Sequence, residues 1–418
     1  MSTIPHYDVI VIGGGPSGMM AAGRAALRGR RVLLIEKNKE LGKKLSITGG
    51  GRCNILNAEE DERELLANYG EASKFLHSPF SQHGMRDSWR FFEGLGLPLV
   101  VEARKRAFPM SQKATDVTEA MRKYILTYNV ELKRSTKASG FTQTDGKISG
   151  IKTNNGTYSA DSYVLSTGGL SHQETGSTGE GLEWLKELGY KILKPNPNIV
   201  PLTVDEEWVK KLSGTSLSFM KITFGPSLSK KEGKFSRTGK ILFTHFGLSG
   251  PLILNSANLV KKLLDKHGTL EAKIDMYPDT ETGTLQQRVL AVFERNKNKL
   301  VRNVLSEITP AGMDKALINI LPPEFLEEKV HSVNKAERQT LVDLLKSMPV
   351  TITGTMGMDW AVISDGGIDL TQVDTKTMRS KLHPNLFFTG DVLNINRPSG
   401  GFSLQLCWTT GTVAGMNA

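Results

Sequence analysis

Residues 7–36 restrict this chain more than any other stretch. The apolar run YDVIVI (7–12) stops at Gly13-Gly14-Gly15-Pro16-Ser17-Gly18, and a short continuous apolar run ended by glycine predicts a strand buried on both faces of a parallel sheet. Behind Pro16, which suits a first helical position, Met19, Met20, Ala22, Ala25, Ala26 and Leu27 recur at helical spacing. RVLLIE (31–36) supplies a second strand, so the segment predicts a right-handed βαβ unit. Gly13, Gly15 and Gly18 fit G-x-G-x-x-G, giving a tight turn, a backbone that can approach a pyrophosphate, and close packing of helix on strand. The helix start faces the phosphates, and Glu36, at the end of the second strand, is placed to accept hydrogen bonds from an adenosine ribose. The pattern predicts an α/β dinucleotide-binding domain; the bland alternative is a glycine turn that only packs a helix on a sheet.

Helical patterns at 61–68, 82–95 and 114–129 and β-like runs at 130–134, 147–152 and 157–166 lead to KPNPNIVP (194–201), a proline-rich break. Beyond it, β-like runs (216–224, 240–244, 268–276) mix with helical ones (250–264, 284–296, 311–320, 335–347). Apolar strand patterns return at 348–353 and 386–390, and a last helix starts near 403. The expected division is a discontinuous dinucleotide-binding domain, 1–194 and 348–418, interrupted by an inserted substrate domain at 195–347.

The chain has 418 residues, which leaves room for two or three domains. Fifty-three Lys and Arg against 43 Asp and Glu give +10, a surplus that allows a polyanionic partner without requiring one. Cys53 and Cys407 are the only cysteines and form no C-x-x-C. That excludes a disulfide framework or a cysteine-rich zinc site, leaves no metal site to predict, and fits a reducing cytoplasm. No stretch approaches the roughly 18 apolar residues of a membrane span, and residues 1–8 lack a basic signal-peptide start, so a soluble, unprocessed cytoplasmic protein is expected.

The glycine turn does not separate FAD from NAD. The C-terminal segment does: LFFTGD (386–391) reads as a strand ending in Gly390-Asp391, followed by PSGGF (398–402) and a helix containing Gln405. If that strand joins the same sheet, Asp391 stands where ribityl hydroxyls could be bound. The helix beginning near Gly401 then directs its positive end at a flavin pyrimidine. NAD has no ribityl chain.

Four stretches together carry a family resemblance: GKKLSITGGGRCNI (42–55), LSTGGLSHQETGSTGEGLEWLKELGY (165–190), ILFTHFGLSGPLIL (241–254) and TMRSKLHPNLFFTGDVLNINRPSGGFSLQ (377–405). They resemble the HI0933-like flavoproteins, also described as BaiN-like or aminoacetone-oxidase-like FAD-dependent oxidoreductases. The resemblance implies a Rossmann-type FAD-binding domain interrupted by an insert with a β-barrel-like part and a helical part near 255–325. It also implies FAD contacts at Gly13, Gly15, Pro16, Ser17, Gly18, Glu36, Lys37, Lys44, Leu45, Gly49, Gly50, Gly51, Arg52, Cys53, Asn54, Thr167, Gly168, Gly169, Gly390, Asp391, Gly400, Gly401 and Phe402. The chain departs from the family pattern at Asp391 (a shorter acid), at Asn394-Ile395-Asn396-Arg397 in place of an Asp-hydrophobic-Asp-Gly run, and at Phe402-Ser403 in place of Tyr-Asn.

Chemistry then rests on flavin hydride transfer with a protein proton donor. A second dinucleotide fingerprint is not evident, so NAD(P)H is expected as a transient reductant. Cys53 is a candidate proton donor, with packing as a small apolar side chain the favoured alternative. Arg52 is a candidate for stabilising anionic reduced flavin or an anionic substrate, or else a salt-bridge partner. His245 is the histidine to test first, and His172 a weaker candidate. Some relatives resemble enzymes that make dihydrouridine in ribosomal RNA and others reductases of conjugated double bonds in steroid-like acids; Pro109 follows Phe108 where some RNA-linked relatives carry Cys. The basic residues Lys221, Lys230, Lys231, Lys234, Arg237 and Lys240 face only Glu232 at 221–240, and this segment is a candidate ribosomal RNA contact, with a solvated loop as the alternative. The expected activity is NAD(P)H-driven reduction of an activated C=C bond, RNA uridine being the first substrate to examine. The alternatives are a small-molecule ene-reductase or amine oxidase, and a flavin-containing RNA-binding or assembly factor.

Overall fold

The computed structural model describes residues 4–227 and 233–418. The chain divides into two compact units, Met1–Pro197 with Val362–Ala418, and Asn198–Ala361.

In the first unit the strand His6–Ile12 pairs in parallel with Val32–Ile35 on one side and Gly156–Leu165 on the other. Glu131–Lys133 extends the sheet beyond Val32–Ile35, and Leu386–Phe388 lies parallel to the end of Gly156–Leu165. The expected return of the C-terminal strand to the first sheet is therefore observed. An antiparallel meander, Ala138–Thr144 and Lys147–Thr153, pairs with the start of Gly156–Leu165. Val9, Ile10, Val11, Leu33, Leu34, Val164 and Leu165 are all fully buried, as a two-sided apolar strand demands.

Two helices cover the sheet next to the glycine turn. Pro16–Leu27 follows the turn directly, and Phe402–Asn417 packs along it. The second is buried almost all round, which is why its sequence shows no polar stripe. Gly411 and Gly415 make this contact close: a Cβ there would stand 2.5 Å from the Ser17 carbonyl oxygen and 2.3 Å from that of Ala21.

The second unit contains a closed barrel of six strands, Leu202–Val204, Ser216–Gly225, Phe235–Thr244, Gly247–Ser249, Leu270–Asp275 and Met348–Thr355. Its helical part includes Pro251–His267, Thr282–Arg295 and Lys335–Lys346. One expected boundary changes. The apolar strand at 348–353 does not open the returning dinucleotide domain: Met348–Thr355 pairs with Leu270–Asp275 and Leu202–Val204 and closes the barrel, so the return begins at Val362. The helical part likewise runs past 325 to Lys346.

The dinucleotide cleft as candidate active site

The carboxyl ends of His6–Ile12 and Gly156–Leu165 leave the sheet side by side, and the parallel strands that follow them in this sheet, Val32–Ile35 and Leu386–Phe388, lie on opposite flanks of the pair. This is the switch point at which α/β sheets bind ligands. Gly13 donates its N–H to the Ile35 carbonyl (2.8 Å) and Ser166 its N–H to the Ile12 carbonyl (2.8 Å), so both turns are tied to the strand ends.

The three glycines of the turn do different work. Gly13 has φ +106°, and a Cβ there would meet the Ser166 carbonyl oxygen at 2.5 Å; at Gly18 a Cβ would lie 1.9 Å from the Gly13 oxygen. Both positions exclude a side chain on backbone grounds alone. At Gly15 a Cβ would meet nothing within 4 Å, and Gly15 has ordinary extended geometry (φ −77°, ψ −176°) as N-cap of the helix. The absence of a side chain there keeps space open in front of a helix N-terminus.

That space is a cleft of about 900 Å³, counted out to its open mouth. Of the expected cofactor residues it is lined by Gly13, Gly15, Pro16, Ser17, Glu36, Lys37, Lys44, Thr167, Gly168 and Asp391. The Glu36 carboxylate is fixed by two backbone donors, Gly14 N–H (2.7 Å) and Asn38 N–H (2.7 Å); its remaining lone pairs suit ribose hydroxyls. Thr167 Oγ1 is buried against Gly181 without a hydrogen-bond partner among the described residues. The open Gly15 position and the anchored acid fit the adenosine diphosphate part of FAD.

Lys37 is already engaged, donating to Thr178 Oγ1 (2.8 Å) and Glu180 (2.9 Å). Burial pushes the Glu180 carboxyl up, but hydrogen bonds from Lys137 and Lys37 outweigh it and hold the group at about 2. The lysine therefore fastens segment 175–180 across the cleft.

The remaining expected residues gather at the glycine loop and the start of the C-terminal helix. With its amide oriented to satisfy both ends, Asn54 accepts from Gly401 N–H (2.9 Å) and donates to the Ala107 and Leu56 carbonyls. Asn57 donates to the Gly400 carbonyl (3.0 Å), and Tyr69 O–H to that of Phe402 (2.9 Å). Gly49, Gly50 and Gly51 all have positive φ, and Gly50 and Gly51 are exposed. Leu45 is buried in the core. Gly169 faces Ser364 and Asp391, and Gly390 faces Ser17. None of these lines the cleft itself.

Arg52 is held as a platform: its guanidinium lies 4.2 Å from the Phe108 ring centre, Nε donates to Gln112 (2.6 Å) and Nη2 to Glu102. Cys53 is fully buried, and burial pushes its thiol up to about 12 against a hydrogen bond with Thr48. Cys407 lines the cleft but is likewise raised to about 12, burial being the main cause. A thiol with so little thiolate is unreactive at neutral pH, so iodoacetamide at pH 8 is expected to label neither cysteine until the protein is denatured, as mass spectrometry would show. His245 is exposed in the turn between Phe235–Thr244 and Gly247–Ser249, its ring 4.9 Å from that of Phe246. His172 adopts φ +52° and bonds Glu174 through Nδ1 (3.0 Å).

Sequence reasoning missed Thr136, Ala138, Thr175–Gly179 and Trp184, all of which line the cleft. The signal was weak for the first pair, which follow a three-residue strand; the second group lay inside the quoted stretch 165–190. Lys221, Lys234, Arg237 and Lys240 are exposed on the barrel unit, while Lys230, Lys231 and Glu232 lie outside the described residues. Among the described residues no group of His, Cys, Asp and Glu could hold a metal, and no helix is long and apolar enough to cross a membrane.

Comparison with known proteins agrees with this geometry. Residues 7–417 match the model of the HI0933-like protein Rossmann domain. Along nearly its whole length the chain is 25% identical to a 3-dehydro-bile acid Δ(4,6)-reductase of Clostridium scindens, covering 98% of both chains. It is 24% identical to a ribosomal RNA dihydrouridine synthase of Haemophilus influenzae, covering 97% of this chain and 96% of that one. Among solved structures, the 3-ketosteroid-Δ4-(5α)-dehydrogenase of Rhodococcus jostii RHA1 shares the fold at 14% identity and TM-score 0.53, over 99% of this chain and 96% of that one. The chain belongs to the HI0933-like Rossmann-domain family and is an FAD-dependent oxidoreductase.

Proposed function

We propose that the protein is a reductase that uses NAD(P)H to saturate an activated carbon–carbon double bond. The observation that carries this reading is the state of the two thiols. Both are free, buried and held at about 12, which disfavours a dithiol relay for reducing equivalents and supports direct transfer between cofactor and substrate. When bound, FAD supplies a two-electron carrier that takes and gives hydride at N5.

The chain's own residues have separable tasks. The glycine turn and the start of helix Pro16–Leu27 bind phosphate, and Glu36 accepts from ribose. Arg52 leaves Nη1 without a hydrogen bond among the described residues, a cation at the rim of the glycine loop for an anionic or carbonyl group of the substrate. NAD(P)H enters transiently. The names of the two full-length relatives support a double-bond substrate, since each denotes a product saturated at a carbon–carbon bond. Uridine in structured RNA is the first substrate to examine: exposed Lys221, Arg237 and Lys240 suit phosphates, and a cytoplasmic setting belongs to the same reading.

The test is anaerobic. Protein reduced with NADPH or NADH is mixed with enones or uridine-containing RNA fragments, oxidised protein is mixed in parallel with amines, and the visible absorbance of oxidised flavin is followed. Reoxidation by an enone or RNA, with a product two hydrogens heavier, is the expected result. Flavin reduction by amines, with no reoxidation by any double-bond compound, would replace the reading with an amine oxidase.

A further inference from the structure

The barrel strand Ser216–Gly225 breaks its own alternation. Its buried residues include Leu217, Met220, Ile222 and Phe224, so the inward phase shifts by one residue after Leu217. The register gives the cause: Leu217 faces Ile241 and Met220 faces Gly239, which leaves Ser218 and Phe219 together opposite Lys240. This is a β-bulge, a feature that re-aims a side chain. Strict alternation from Leu217 would turn Phe219 inward; with the extra residue its ring stands in solvent, 49% exposed.

The same register lines up cations beside that ring. Lys221 lies opposite Thr238 on one side and Asp275 on the other. Lys240 is two residues from Thr238 and Lys273 two residues from Asp275, so each is a diagonal neighbour of Lys221 at about 7–8 Å. The three exposed lysines therefore run in one diagonal row across three strands, and Lys273 comes from outside the basic stretch 221–240. None of them makes an ion pair among the described residues. Asp275 is taken by Lys346 (2.8 Å), and Glu271, the other acid of its strand, lies opposite Gly225 toward the far end. Like charges so placed repel one another, and a polyanion relieves the repulsion. Phe219 adds what phosphate binding alone does not use. An aromatic ring in solvent can stack on the open face of an unpaired base, which a duplex keeps inside its own stack.

We propose that this outer face of the barrel binds an unpaired segment of RNA, with phosphates along Lys240, Lys221 and Lys273 and a base on Phe219. This rests on the reading of RNA uridine as substrate, and adds to it a surface, a stacking residue and a requirement for single strands.

The test uses the flavin-loaded protein and a fluorescently labelled oligouridylate, with anisotropy read over a salt series. Lys221→Gln, Lys240→Gln and Lys273→Gln combined should weaken binding about tenfold or more and flatten the log–log salt slope by about 2, the share of three phosphate contacts on a single strand. Phe219→Ala should weaken binding roughly tenfold and leave that slope unchanged. As a control of equal charge, Lys262→Gln, Lys266→Gln and Lys315→Gln remove exposed lysines on helices of the same unit and should leave affinity close to wild type. All these side chains are exposed, so each variant should melt as wild type does. Wild-type affinity in both the triple variant and Phe219→Ala overturns the proposal. So does an equal loss in the control, which reduces the effect to net charge. Tighter binding to a duplex RNA, or binding to phosphatidylserine vesicles but not to oligouridylate, also overturns it. The two readings fail differently. If RNA reoxidises the reduced flavin equally well in wild type and in the face variants, the face falls and the RNA substrate stands. If only enones reoxidise the flavin while oligouridylate binding still depends on Phe219 and the three lysines, the RNA substrate falls and the RNA-binding face stands.

Discussion

Gly15→Val is expected to give a folded, colourless protein. The backbone at Gly15 is extended, with φ −77°, a region that valine adopts without strain. A Cβ placed there meets no protein atom within 4 Å, so the ligand-free fold has nothing to clash with and should melt within a few degrees of wild type. What the branched side chain does meet is the space in front of the helix N-terminus, where close backbone approach is needed to bind a pyrophosphate. Loss of that approach is expected to weaken FAD binding by roughly 100-fold, about 3 kcal/mol. Flavin content after purification and a titration of ligand-free protein check this. Retained wild-type occupancy would remove the pyrophosphate from the glycine turn. Gly18→Val is the control: a Cβ 1.9 Å from the Gly13 oxygen strikes backbone that cannot yield, so that variant should fail to fold rather than fold without flavin.

The contrast between these two glycines shows what the sequence could and could not reveal. Periodicity and the spacing of Gly13, Gly15 and Gly18 are enough to place a strand, a turn and a helix, because two-sided burial and a tight turn each leave a local pattern. The Leu386–Phe388 strand is legible for the same reason, as an apolar run ending in Gly-Asp, and its place in the sheet follows. The barrel is less legible. Leu202–Val204 and Gly247–Ser249 are three residues long, too short to show alternation, and without them the barrel does not close in the sequence pattern, so Met348–Thr355, which pairs with Leu202–Val204 and Leu270–Asp275, reads as part of the wrong unit. Charge is the least legible. Nothing local marks Asp391 as the partner of Arg397, because pairing is a property of the folded cleft and a short stretch of chain does not display it. Arg52 reads equally well as a substrate group and as a salt-bridge partner; the structure gives it Glu102 and Gln112 and still leaves one nitrogen unbonded among the described residues.

Lowering the pH from 7 to 4 is expected to cost the fold about 3 kcal/mol through His83 alone, since each tenfold change in proton affinity is worth about 1.36 kcal/mol. His83 is buried, its Nε2 3.2 Å from Ser88 Oγ, which also takes a hydrogen bond from Gln405 Nε2 (2.9 Å), while Thr409 Oγ1 donates to the His83 carbonyl (2.8 Å). Burial, with the Arg24 charge adding to it, pushes the imidazole down to about 4. Above pH 6.5 the ring is neutral in both folded and unfolded chains and contributes no slope. Between 6.5 and 4 the unfolded chain takes up the proton and the folded chain does not, so stability falls as pH falls; below 4 both are protonated and the loss stops growing. Glu180 and Asp369, each held at about 2, lose their contributions mainly below about pH 4.5, largely outside this window. His83→Gln keeps hydrogen-bonding capacity without the titration. Urea midpoints followed from about pH 7.5 to 4 should converge for the two proteins as pH falls or cross, the variant losing about 3 kcal/mol less than wild type; parallel curves would mean that the ring does not titrate as its burial demands. The helix that bears Gln405 and Thr409 also bears Cys407 in the cleft wall and Phe402 at its start, so the unfolding favoured over this window takes the cleft wall with it, and release of flavin fluorescence should rise as the folded population falls.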